Sequence, residues 1–219
     1  MTEKAKAEQK LKYRQIFGIR LSIGSIILMV FCAFLLVLAT FIKFDLTHFI
    51  LPLDVFSGAA HKPEDFFKTV TIIPQIPIVM FICAFMGRKY GLASIAIYIL
   101  TGLFILPIFA LGGGWKYVLE YGFGYILAYI PAAFFAASIL KSGYSYRNIA
   151  QAVLIGVLSI HVIGIFYMLF LSAINHEGVE FISGWINAQS GLKIIYDIIL
   201  SFILVLFAKY ARLLLWIFM

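Results

Sequence analysis

Charge is what this chain has least of. Ten acidic and seventeen basic residues among 219 make it only 12% charged, while 63% of its residues are apolar. That balance cannot clothe a soluble surface and excludes a soluble globular domain. Cysteine is nearly absent. Cys32 and Cys83 both fall inside apolar runs, where thiols act as small apolar residues, so neither a disulfide nor a metal site is indicated. The Gly112–Gly114 run lacks the Lys-Ser/Thr ending of a phosphate loop, so any ATP energy must come from a partner. There is no internal repeat, which argues against an inverted-repeat secondary transporter.

What fills the chain is apolar length, with a mean hydropathy of +1.04. Six segments approach the ~20 residues a helix needs to cross a hydrocarbon core. They are Leu21–Ile42, Thr69–Gly87, Tyr90–Ala110, Tyr121–Leu140, Asn148–Ala173 and Gly191–Tyr210. The fifth carries His161 and the sixth Asp197. Barrel strands alternate over about 10 residues, and these runs do not. The reading is an all-α polytopic membrane protein: a basic segment over 1–20, then one six-helix membrane domain over 21–213. The N-terminal residues do not read as a secretory signal, because the first span is too long and no small-residue cleavage site follows.

Basic residues set the orientation. With the N-terminus in the cytoplasm, twelve of the seventeen Lys and Arg fall on the inside, among them Arg88, Lys89, Lys141 and Arg212. Lys43, Lys62, Lys68, Lys116 and Lys193 fall outside. Both termini are therefore predicted to be cytoplasmic. The basic tail reads as a topology determinant and an anchor to membrane lipids, with no nucleic-acid partner. Short turns at 87–91 and 141–147 make hairpins of spans two and three and of spans four and five. The outside segment Lys43–Lys68 holds an apolar patch, FILPLDVF.

This threading brings polar groups to one depth. Gln75 lies roughly 10 Å below the outer surface, Tyr125 at a comparable depth, and Asp197 roughly 9 Å down. Pro107 and Phe109 end the third span on the same side. Polar groups in lipid must be satisfied by protein, water or ligand, so an outward-opening pocket is predicted. An acid at this depth costs about 2.5–3.5 kcal/mol on insertion scales and is read as functional by default. Each residue also has a structural reading. Asp197 can pair with Lys193, four residues earlier; Gln75 can satisfy backbone freed by Pro74 and Pro77. Tyr98 and Tyr125 can be interfacial belt residues. His161, beside Ser159 and Gly164, can be a helix-packing residue.

From Pro74 to Leu140 the chain resembles the biotin transporter (BioY) family, the substrate-specificity component of energy-coupling-factor (ECF) vitamin transporters. The resemblance rests on Gln75, Gly87 with Arg88 and Gly91, Tyr98, LPIFALGGG (106–114) and GYILAY (124–129), in order and spacing. In the last span Asp197 falls at the family's Asp, but Leu200 stands where the family has Lys. The family's preceding Pro-Phe is missing. Only Gly18 and Ser22 offer the small-residue spacing used to dock the coupling subunit.

The resemblance implies a binding component for biotin in a bacterial cytoplasmic membrane, multi-pass, working with ECF coupling and ATPase subunits. No cofactor and no catalysis are implied. The substrate-binding residues it points to are Asp197, Gln75, Tyr125, Tyr98, Phe109 and Trp115. A carboxylate or amide suits a ureido ring, and the aromatic walls suit an apolar bicycle. Lys193 or Lys116 is then the stand-in for the missing Lys. Other readings are a component for another vitamin-like molecule, a ligand-free scaffold, and an intramembrane enzyme. For the last, His161-x-x-Gly164 has no Gly-x-Ser-x partner on another span.

Overall fold

The computed structural model describes residues 14–16, 19–49 and 62–218. Gly18, residues 50–56 of the apolar patch and most of the basic N-terminal segment lie outside them. A short antiparallel pair, β1 (Arg14–Ile16) and β2 (Ile19–Leu21), precedes helix α1 (Ile23–Phe41). Ser22 starts that helix. Its Oγ accepts from the Ser25 backbone N–H at 3.1 Å, satisfying a donor that a helix start leaves free.

The segment between the first two spans is partly strand. β3 (Phe44–Phe49) pairs antiparallel with β4 (Phe67–Ile72), Phe44 opposite Ile72 and Phe49 opposite Phe67. Thr69 to Ile72 were expected to begin a helix. They are β-branched, suit a pleated surface and find a partner strand in β3. The helix instead begins at Gln75, after Pro74. Pro74 and Pro77 sit where a helix start leaves N–H groups unpaired, so they strand no donor.

Helix α2 (Gln75–Phe104) is not straight: Gly87 is non-helical at φ 72°, ψ −179°. A continuous helix would separate Gln75 from Tyr98 by about 34 Å, yet their side chains are hydrogen-bonded at 2.9 Å. The two arms are therefore antiparallel, folded back at a glycine in a conformation other residues rarely adopt. The second arm stops at Phe104, ahead of Pro107. Residues 105–122 fold over the end of the bundle through a 3-10 turn, Trp115–Leu119.

The chain continues with α3 (Phe123–Leu127), α4 (Tyr129–Leu140), α5 (Tyr146–Ile174), α6 (Val179–Ser190) and α7 (Lys193–Phe218). Helix α6 lies in what the sequence reads as a connecting segment. Among the described residues five stretches are long and apolar enough to cross a membrane: Ile23–Phe41, Gln75–Phe104, Phe123–Leu140, Tyr146–Ile174 and Val179–Leu213. The second of these holds both arms of α2.

Helix α2 is the hub, packed against α1, α4 and α7, while α5 packs on α3, α4 and α7. Small residues permit the closeness: Ala132, Ala133, Ala136 and Ala137 are buried on α4, and Gly156 faces Met80. The outer faces are apolar. Val30, Phe31 and Phe34 on α1, Leu158, Val162 and Phe166 on α5, and Ile199, Ile203 and Phe207 on α7 are all exposed. A continuous apolar exterior of this extent suits lipid rather than water.

Candidate ligand-binding site

At one end of the bundle, α1, both arms of α2 and α4 place four polar side chains together. Gln75 Nε2 donates to Thr40 Oγ1 at 2.6 Å and to the Tyr98 hydroxyl at 2.9 Å. Thr40 donates to the Leu36 carbonyl at 2.9 Å, so at the 3.2 Å contact between Thr40 and Tyr98 it is Tyr98 that donates. Tyr129 donates to Gln75 Oε1 at 3.2 Å. The Gln75 amide is thus fixed from both sides, and its oxygen keeps a second lone pair for something else. The proline-bracketed Gln75 serves no freed backbone; it holds side chains from three helices.

A second chain of bonds runs into the bundle. Tyr125 OH lies 2.8 Å from Ser190 Oγ, Ser190 Oγ 2.9 Å from His161 Nδ1, and His161 Nε2 3.2 Å from Asp197 Oδ2. A carboxylate only accepts, so Nε2 carries a proton. One pattern with a neutral imidazole satisfies each link: Tyr125 donates to Ser190, Ser190 to Nδ1, and Nε2–H to Asp197. Asp197 and His161 are buried, and the other carboxylate oxygen, Oδ1, has no hydrogen-bond partner; nor does buried Ser201 Oγ. The alternative pairing of Asp197 with Lys193 is not among the ion pairs of the described residues. The acid is turned toward α5 instead.

Gly164 explains how Tyr125 reaches this chain. A Cβ at Gly164 would come within 2.6 Å of the Tyr125 ring. Only a glycine lets α3 lie that close to α5. Gly102 plays the same part for Phe109, whose ring occupies the space a Cβ would need.

These residues enclose a cavity of about 230 Å³, lined by Gln75, Tyr125 and Tyr129 and, around them, by Tyr117, Trp185, Gln189, Lys43 and Lys193. Burial raises the Tyr117 phenol above its ordinary range, with a backbone contact at Leu111 opposing and Glu120 adding to the rise. It stays a protonated donor.

The structure distributes the six sequence-derived residues unevenly. Gln75 and Tyr125 line the cavity. Tyr98 and Phe109 lie behind it, fully buried, with Tyr98 holding Gln75 and its ring edge-on to Phe109 at 5.4 Å. Asp197 is also behind the wall, reached through Tyr125, Ser190 and His161. Trp115 is 66% exposed on the 3-10 turn and is not part of the lining. Of the two stand-in lysines, Lys193 lines the cavity; Lys116 does not, and its Nζ lies 6.0 Å from the Trp115 ring centroid.

Residues the sequence reading passed over are Tyr129, Tyr117, Trp185, Gln189 and Ser190. Tyr129 had a signal, since it sits four residues after Tyr125 and so shares its helical face. The three from α6 had none, because that helix was not expected.

A model of the BioY family matches residues 8–215 of this chain. A probable biotin transporter BioY from Lysinibacillus sphaericus is 28% identical over 121 residues, which cover 52% of this chain and 62% of that relative. The match thus spans less than two thirds of the relative's length. The fold is similar to that of the S-component for biotin from an ECF-type ABC transporter, a crystal structure at 2.1 Å. The TM-score is 0.61 at 20% identity, covering 97% of this chain and 94% of that one. The family model covers nearly the whole membrane domain, from the strands ahead of α1 to the last turns of α7, and this chain belongs to the BioY family.

Proposed function

We propose that this protein binds biotin as the substrate-specific component of an ATP-driven ECF-type transporter in a bacterial cytoplasmic membrane. The observation that carries this reading is the cavity walled by Gln75, Tyr125 and Tyr129. A ureido ring presents two N–H donors and one carbonyl. The free lone pair of Gln75 Oε1 accepts from an N–H, and a tyrosine hydroxyl serves the carbonyl. Tyr117, Trp185 and Ile126 supply apolar wall for a bicycle. Asp197 is then a positioning group: through His161 and Ser190 it fixes the direction of the Tyr125 hydroxyl.

The chain crosses the membrane six times in this reading, with the arms of α2 counted separately and both termini cytoplasmic. Arg212 Nη1 donates to Tyr144 OH at 2.9 Å, so the end of α7 and the turn at 141–145 share the end of the bundle opposite the cavity. That end is the basic one and faces the cytoplasm. The coupling and ATPase subunits would engage there, and the cavity opens outward.

Equilibrium dialysis of the purified protein with labelled biotin tests this. Saturable binding approaching one biotin per chain is expected. Folded protein that shows no saturable binding of biotin overturns the reading. Competition with other vitamins in the same assay addresses the one departure that favours a different ligand, Leu200 in place of the family's Lys.

A further inference from the structure

The inner cavity alone, at about 230 Å³, is smaller than the roughly 300–1,000 Å³ usual for small-molecule sites. It does not end there. A second space of about 490 Å³ adjoins it on the outer side, between β4 and α6. The two share Lys43, Ile73, Gln189 and Lys193 as lining, so they adjoin at a waist formed by these residues. Together they fall inside the usual range.

The outer space has a distinct charge. Lys43, Lys68 and Lys193 all line it, and among the described residues no Asp or Glu does. They come from three places: the end of α1, strand β4 and the first turn of α7. Asp45, on the β-hairpin, is already engaged, its Oδ1 accepting from Thr71 Oγ1 at 2.6 Å. Asp197, one turn below Lys193, is bonded to His161. Among the described residues none of the three lysines has an ion-pair partner. Asn187 and Gln189 add amides to the same wall. Asp197 attracts Lys193 electrostatically but gives its hydrogen bond to His161; three like charges therefore line the space, and an anion there is attracted by all of them.

We propose that this lysine-lined space is an outer vestibule that receives the carboxylate end of an anionic ligand whose ring end occupies the inner cavity. The proposal rests on the biotin reading above and adds a specificity to it: the site selects carboxylate-bearing ligands over neutral ones. Lys193, at the waist, is the inner anchor. Lys43 and Lys68, both exposed, draw the anion in from solution and hold its outer face. Exposed charges act over about a Debye length, so their share is sensitive to salt.

Lys68 separates this idea from a general effect on the pocket, because it lines the vestibule and not the inner cavity. The full-length protein is compared with Lys68→Gln and Lys68→Arg, using labelled biotin and its neutral carboxamide at low and high salt. The wild type is expected to bind biotin at least about tenfold tighter than the carboxamide. Lys68→Gln should weaken biotin by roughly two- to fivefold, most at low salt, and leave the carboxamide unchanged. Lys68→Arg should restore biotin binding. Equal affinity of the wild type for the two ligands, or an equal loss of both in Lys68→Gln, overturns the vestibule while leaving the biotin reading intact. Failure of the wild type to bind either ligand overturns both.

Discussion

The Gln75 cluster makes a prediction whose sign can be worked out bond by bond. Gln75→Leu keeps most of the side-chain volume but removes the donor to Thr40 and Tyr98 and the acceptor for Tyr129. Thr40 and Tyr98 keep each other and the Leu36 carbonyl. Tyr129, 2% exposed, loses its hydrogen-bond acceptor. An unsatisfied buried hydroxyl costs about 1–3 kcal/mol, and each lost net bond about 0.5–1.5 kcal/mol. Gln75→Leu should therefore destabilise the protein by roughly 2–4 kcal/mol. Losing one hydrogen bond to the ligand should also weaken biotin roughly five- to tenfold.

Tyr129→Phe supplies the check. In the wild type it breaks one bond and costs about 1 kcal/mol. In the Gln75→Leu background it removes the stranded hydroxyl, so it should be neutral or stabilising. Denaturant unfolding of the four proteins in detergent gives the double-mutant cycle, and dialysis gives their affinities. Equal destabilisation by Tyr129→Phe in both backgrounds would refute the cluster as described. So would wild-type biotin affinity in Gln75→Leu.

Other substitutions probe the rest of the wall. Asp197→Asn turns an acceptor-only group into a mixed one and buries an unpartnered N–H. It should lose about 1.5–3 kcal/mol of stability in unfolding assays and weaken biotin roughly tenfold in dialysis, because a neutral amide oxygen is a weaker acceptor than the carboxylate for His161 Nε2–H and so loosens the chain of bonds to Tyr125. Gly164→Ala puts a methyl 2.6 Å from the Tyr125 ring; overpacking of this kind costs about 1–3 kcal/mol, and the melting temperature should fall with biotin affinity. In sealed vesicles the chain alone should bind labelled substrate stoichiometrically without accumulating it, since its glycine run lacks the Lys-Ser/Thr ending of a phosphate loop. Concentrative uptake driven by an ion gradient would contradict the partner-dependent mechanism.

Chemistry and position along the helix were legible in the sequence where a residue's own surroundings announced them. Gln75, between two prolines in an apolar run, and Tyr125, near the start of an apolar span, both line the cavity. Azimuth was not legible. Asp197 and Lys193 share a helical face by spacing, but the carboxylate turns toward His161, and only the packing of α5 on α7 decides that. The β-hairpin was hidden because Lys43–Lys68 was read by its charges, although Thr69-Val70-Thr71-Ile72 had strand composition. Helix α6 was hidden because its residues mix polar and apolar, as an exposed helix outside the core does. Trp115 was expected at the wall as an aromatic suited to an apolar bicycle; the 3-10 turn carries it outward while bringing Tyr117 in.

The central claim is that biotin occupies the cavity from the outer face, and site-directed thiol labelling tests it most directly. Cys32 and Cys83 are both buried, so the native chain gives little background. Cysteine is introduced by Gln189→Cys, at the waist between the two spaces, and by Trp115→Cys as an exposed comparison. In intact cells a membrane-impermeant thiol reagent should label both. Biotin should protect the Gln189→Cys protein and leave the Trp115→Cys protein fully labelled. Labelling of Gln189→Cys that is unchanged at saturating biotin, in protein that still binds it, would contradict the account.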